Sequence, residues 1–163
     1  MRSVADFYQD CQAVAHAVPP LDVKLVDAVS CVLAEDVQAP FNLPVADLSA
    51  CDGYAVRVRD CEGATLETPV TLPVTEEIRA GAVDPAALVP GTAIRIASGA
   101  PMPTGAEAVV SLEFTDHGIA QVALRTAPAN GENIRRRAED VAQGDTVLRS
   151  GTRIGARQMA LLA

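Results

Sequence analysis

The sequence has no tryptophan, two tyrosines and three phenylalanines among its 163 residues. So few rings leave little to stack on the bases of a nucleic acid, and a core has to come from Val, Ala, Leu and Ile. Histidine is nearly missing as well, with only His16 and His117. Cys11, Cys31, Cys51 and Cys61 form no C-x-x-C pair, so no zinc pattern arises. Two histidines placed this way also assemble no Ser-His-Asp or Cys-His constellation, which argues against covalent nucleophilic catalysis. Positive charge is in deficit, the formal net charge being −8. That balance speaks against general binding to DNA, RNA or anionic membranes. No apolar run approaches the roughly 20 residues that span a bilayer. Scattered thiols without a leading signal peptide lead us to expect a soluble chain in a reducing cytoplasm.

What is present suffices for a folded protein. The hydrophobic fraction is 49% and the charged fraction 21%, enough for one ordinary domain or two small ones. Over residues 3–18, Val4, Phe7, Tyr8, Cys11, Val14, Ala15 and Val18 recur at spacings of three and four. That spacing predicts a helix, with Ser3 as cap and Pro19-Pro20 as stop. "LDVKLV" alternates like a half-buried strand. Asp27 is placed to cap a short helix through "AVSCVLA", and "EDVQAP" reads as a second strand. Pro40 and Pro44 bracket a linker.

From about residue 44 to 140 the texture changes. "YAVRVRD", "VTLPVTEEI", "TAIRIA", "AEAVVSLEFTD" and "IAQVALRTA" alternate with Gly and Pro punctuation, the rhythm of a small all-β unit. Asp116-His117-Gly118 and Asn130-Gly131 are turn candidates. The close, "GDTVLRSGTRIGARQMALLA", predicts a strand, a turn, a short strand and a helix starting near Gly155. No helix stop follows, so the chain reads as cut at a boundary. The expected fold class is α+β, mostly β. A small α/β domain, residues 1–43 and 141–163, holds an inserted β-rich domain of barrel or sandwich type, residues 44–140.

Three polar stretches could carry chemistry. "SACDGYAV" places Asp52-Gly53, a strong hairpin-turn signal, among Asp47, Ser49 and Tyr54. "RIASGAPMPTGAEAVV" puts Ser98-Gly99 where a β run yields to a loop, and exposed N–H groups there could cradle an anion. It is not a P-loop, since G-x-x-x-x-G-K is absent. "NGENIRRRAEDVAQGD" sets Arg135, Arg136 and Arg137 before Glu139 and Asp140. Arginines offer bidentate bonds to oxyanions, and carboxylates either hold Mg²⁺ or pair with the arginines. Each stretch alone has an ordinary alternative: a hairpin turn, a rigid loop and a salt-bridged turn.

In order, "LPVADLSACDGYAV", "IRIASGAPMPTGAEAVV" and "ENIRRRAEDVAQGDTVLRSGTRI" resemble the N-terminal half of the MoeA family, the molybdopterin molybdenumtransferases, whose animal relative is the gephyrin E-domain. The likeness runs from roughly Pro20 to Ala163. It implies domains I and II of an enzyme that inserts molybdate into adenylylated molybdopterin and releases AMP. It further implies a homodimer whose active site lies between the pterin-binding third domain of one subunit and the second domain of the other. The N-terminal helix of that family leans on the third domain. By this resemblance Asp52, Ser98 and Asp140 are the catalytic candidates, and Asp52 and Asp140 the candidate Mg²⁺ ligands. Ser49 and Arg135 to Arg137 are the candidates for substrate and anion binding. Ser98 stands for a usual threonine, Cys51 for methionine, Leu48 for asparagine and Ala138 for glycine. The expectation for this chain alone is inactivity. The competing expectation is a non-catalytic dimerisation or scaffold module.

Overall fold

The computed structural model describes residues 2–16 and 18–163. It forms two compact units, Gln38–Asp145 and Met1–Val37 with Thr146–Ala163. Among the described residues the regular structure is mostly sheet, with two α-helices, so the class is α+β.

The larger unit is built on a five-stranded sheet of β3 (Gly53–Val56), β4 (Val70–Ile78), β5 (Ala93–Ile96), β6 (Ala108–Ser111) and β7 (Gln121–Leu124), ordered β6-β3-β5-β4-β7. All pairs are antiparallel except β4 with β5. Thr115, just past β6, bridges Leu124 of β7, and Arg125 N–H donates to the Phe114 carbonyl. The sheet therefore curls so that the chain just past β6 touches β7 at one corner. Strand alternation sorts its side chains into two cores. Tyr54, Val56, Leu72, Val110, Val122 and Leu124 fill one face. Ala55, Ile78, Ile94, Ile96 and Val109 fill the other. Cys61 packs in the first core, and burial pushes its thiol up to about 11.

Two short ladders complete the sheet structure. β1 (Val37–Gln38) pairs with β9 (Thr146–Leu148), and β2 (Leu48–Ser49) with β8 (Ile134–Arg135). The linker expected around residues 40–44 is itself tied down. Asp140 and Val141 donate to the Leu43 carbonyl, and Ala39 N–H donates to Asp145.

In the smaller unit, helix α1 runs Val4–Val14. Ser3 Oγ accepts from Asp6 N–H while the Asp6 carboxylate accepts from Ser3 N–H, a reciprocal cap. The helix ends short of the expected residue 18. Residues before a proline pair favour extended backbone, and nothing packed extends the last turn. Ala17, within the expected helix, lies outside the described residues. The anticipated "LDVKLV" strand is absent: Leu25–Asp27 make one 3₁₀ turn. An alternating pattern makes no strand without a neighbour to take up its N–H and C=O groups. The expected helix through "AVSCVLA" also fails. Ser30 adopts φ 69°, which stops a right-handed helix. Instead Ser30, Cys31 and Leu33 exchange backbone hydrogen bonds with Thr152 and Ile154. The closing helix α2, Ala156–Leu162, begins one residue after Gly155.

Candidate functional site

The three motif stretches meet around β2, inside the larger unit. On one side Leu48 and Ser49 pair with Arg135 and Ile134. On the other, Ser49 N–H donates to Ala100, Gly99 N–H donates to Ser49, and Met102 N–H donates to Asp47. Segments dozens of residues apart are thereby fixed within hydrogen-bond reach.

Asp52 follows β2, and Gly53 opens β3. This corrects the hairpin expected at Asp52-Gly53: β2 and β3 belong to different sheets, and Gly53 is extended strand. Glycine is required here for closeness. A Cβ at Gly53 would run into the Val110 carbonyl oxygen and lie 2.9 Å from Val109 Cγ1. The bend leaves the Asp52 side chain exposed, and its Oδ1 accepts from Ser98 N–H at 2.7 Å.

Ser98 and Gly99 are the central residues of a turn closed by Ala100 N–H to the Ala97 carbonyl. Gly99 takes φ 77° there, which explains its glycine. The Ser98 side chain is exposed, with Oγ 3.4 Å from the Ala50 carbonyl. Ser98 thus binds Asp52 through its backbone and keeps its hydroxyl near the surface.

The arginine stretch divides its charges. Arg135 pairs with Asp140, and Arg136 pairs with Asp47 at 2.8 Å. The Arg137 amide donates to the other Asp47 oxygen at 2.8 Å, while its side chain is exposed. The Arg137 N–H, with Arg136 beside it, holds the Asp47 carboxyl below its ordinary pKa. Ala138 adopts φ 63°, the conformation a glycine at this place takes without strain.

Ser49 does not fit its expected anion-binding role. Its side chain is buried and its hydroxyl donates to the Cys51 carbonyl at 2.6 Å, so it locks the bend. Cys51 is half-buried, and burial, then the Asp52 charge, raises its thiol pKa. That suits packing better than redox chemistry.

Asp52, Gly53, Glu77, Arg95, Ile96, Ala97 and Leu112 line a cleft of about 160 Å³. Mg²⁺ takes one or two carboxylates and completes its shell with water and phosphate oxygens. Asp52, with Glu77 on the same cleft, fits that demand. Asp140 is paired with Arg135 and does not line this cleft. Among the described residues no three acidic, His or Cys side chains converge into a metal cage. The motif pattern assigns no separate role to Asp47, Glu77 or Arg95. Asp47 and Arg95 lie within the quoted motif stretches, whereas Glu77 carries no local signal.

In this mostly-β unit, three polar motifs are gathered by backbone hydrogen bonds around one short strand. Comparison with known proteins places it. A model of the MoeA N-terminal region (domain I and II) matches residues 2–163. Molybdopterin molybdenumtransferase 2 of Mycobacterium tuberculosis is 50% identical over 151 residues, 93% of this chain and 37% of that protein. The molybdopterin molybdenumtransferase of Bacillus subtilis is 40% identical over 145 residues, 86% of this chain and 34% of that protein. The crystal structure of the molybdopterin biosynthesis MoeA protein from Pyrococcus horikoshii superposes with a TM-score of 0.80 at 38% identity. It is covered over 37% of its length by 86% of this chain. The chain belongs to the MoeA family, in its N-terminal region. It spans little more than a third of the length of these relatives.

Proposed function

We propose that this chain is the N-terminal portion of a molybdopterin molybdenumtransferase, acting in molybdenum cofactor biosynthesis. It would help insert molybdate into adenylylated molybdopterin with release of AMP. The observation that carries this reading is the gathering of all three family motifs on β2 (Leu48–Ser49), with Asp52 and Ser98 joined at 2.7 Å. Here Asp52 is the exposed carboxylate that meets the substrate side of the cleft. Its orientation is set by the Ser98 amide, and the Ser98 hydroxyl donates to the same ligand. Asp140 holds Arg135 in place, and Asp47 holds Arg136, so both pairs fix the wall of the site. Such fixed dipoles and charges are what positions an anion for transfer. Mg²⁺, when bound at Asp52 and Glu77, would supply neutralisation of phosphate charge.

In this proposal the remaining pterin-binding part of a complete site comes from outside residues 1–163, the enzyme works in the cytoplasm as a homodimer, and this chain alone turns nothing over. The internal pairing of Arg135 and Arg136 favours a second reading, in which the motifs hold a non-catalytic dimerisation or scaffold module together.

A chimera separates the two. Residues 2–163 replace the matching segment of the Bacillus subtilis enzyme in a bacterium lacking its own transferase. We expect molybdoenzyme activity to return and Asp52→Asn to abolish it. A soluble chimera without activity, or an active Asp52→Asn form, would favour the module.

A further inference from the structure

Arginines in this chain are almost all exposed; only Arg57 and Arg95 are half-buried. Arg57 has Asp60 at 3.8 Å. Arg95 has no acidic group within ion-pair distance among the described residues, although it stands at the centre of the sheet. Register places it on β5 between Tyr54 of β3 and Glu77 of β4. Glu77, directly opposite, lies 3.7 Å from Arg79 instead. Arg95 also borders two clefts, the one with Asp52 and a second with Val74, Thr75, Glu76, Glu77 and Ile119.

A guanidinium held partly out of water and left without a counter-ion is an arrangement that selects oxyanions, since its fork matches two oxygens at once. The first cleft, about 160 Å³, falls below the roughly 300–1,000 Å³ of pockets for drug-sized ligands. It suits one small group. We propose that Arg95, not the Arg135–Arg137 run, is the side chain that binds a tetrahedral oxyanion in the Asp52 cleft. This deepens the reading of Asp52 as a site residue and rests on it. The oxyanion is either a phosphate of a larger ligand or a free metal oxyanion such as molybdate. Asp52 and Glu77 on the same walls oppose a bare anion, so affinity is weak without a divalent cation and rises with one.

The test is an amide-resolved NMR titration of the full 163-residue chain with inorganic phosphate, and separately with molybdate, at constant ionic strength, with and without Mg²⁺. Shifts centred on Gly53, Ala97 and Ser98 are expected. Arg95→Gln should weaken binding at least about tenfold, Arg95→Lys by less, and the exposed-site control Arg125→Gln not at all. Tighter phosphate assigns the cleft to a phosphate group, and tighter molybdate to the metal oxyanion. Shifts centred on Arg135 to Arg137, unchanged affinity in Arg95→Gln, or no shift at about 50 mM anion would overturn the proposal. Should Arg95→Gln lose its dispersed spectrum, unchanged affinity in Arg95→Lys overturns it equally. The titration needs no catalysis, so an inactive chimera and an empty Arg95 cleft are separate outcomes.

Discussion

The N-terminal helix and the five-stranded sheet are made of the same kinds of apolar residue, yet only the sheet hides them. Ile94, Ile96, Val109 and Val122 are at most 1% exposed, whereas Val4, Phe7, Tyr8 and Val14 are 61% exposed or more. Helix α1 contains no buried residue at all. Its order rests on its cap and its backbone ladder, and so is local. Each central strand is held by neighbours on both sides and by a core on each face. Patterning decides which residues could be buried; a partner surface decides whether they are.

The sharpest way to break this contrast is at Gly53. Gly53→Ala forces a backbone carbonyl, not a flexible side-chain end, to move. We expect a loss above about 3 kcal/mol, beyond the usual cost of overpacking, read by urea unfolding. Ile94→Ala comes next, removing a buried side chain at a cost of about 2–5 kcal/mol. In the site region, Ala138→Gly should add about 1 kcal/mol by relieving a left-handed alanine. Phe7→Ala should change stability by no more than about 0.5 kcal/mol. A large loss there would mean that α1 is packed after all.

The acid side of the stability profile sharpens the same contrast. Asp47 is depressed in the folded state, so its contribution is complete above its unfolded pKa and is lost as pH falls through the folded one. Asp47→Asn should flatten the acid limb of a pH-unfolding curve below the ordinary carboxylate range. An unaltered limb would show that the Arg136 and Arg137 contacts do not persist in solution.

Legibility in the sequence follows the same line. "VTLPVTEEI" is a strand over all nine residues, because β5 and β7 flank it and its pattern meets a real partner on each edge. "TAIRIA" and "IAQVALRTA" hold strands at their centres for the same reason. "LDVKLV" carries a similar alternation and fails for want of a neighbour. Asp116-His117-Gly118 turns as expected, with Asp116 Oδ1 accepting from Gly118 N–H, since such a turn depends on its own residues. Asp52-Gly53 has equally strong turn chemistry, but Val110 claims the glycine for close approach. The family motifs single out Asp52, Ser98 and Asp140, and the structure joins the first two through the Ser98 amide while Asp140 pairs with Arg135. The burial of Ser49, the pairing of Arg135 and Arg136 and the lack of an acidic partner for Arg95 among the described residues depend on strand register, which no local pattern encodes.

Hydrogen exchange of backbone amides across the whole chain tests most directly whether the motifs are held by the sheet-bearing unit. The amides of β3 and β5, those of Ser49 and Gly99, and those of Ser98 and Arg137 held by Asp52 and Asp47 should be protected well above those of Val4–Val14. Ser98 and Arg137 amides exchanging as fast as those of α1 would mean that the three stretches are not assembled in solution.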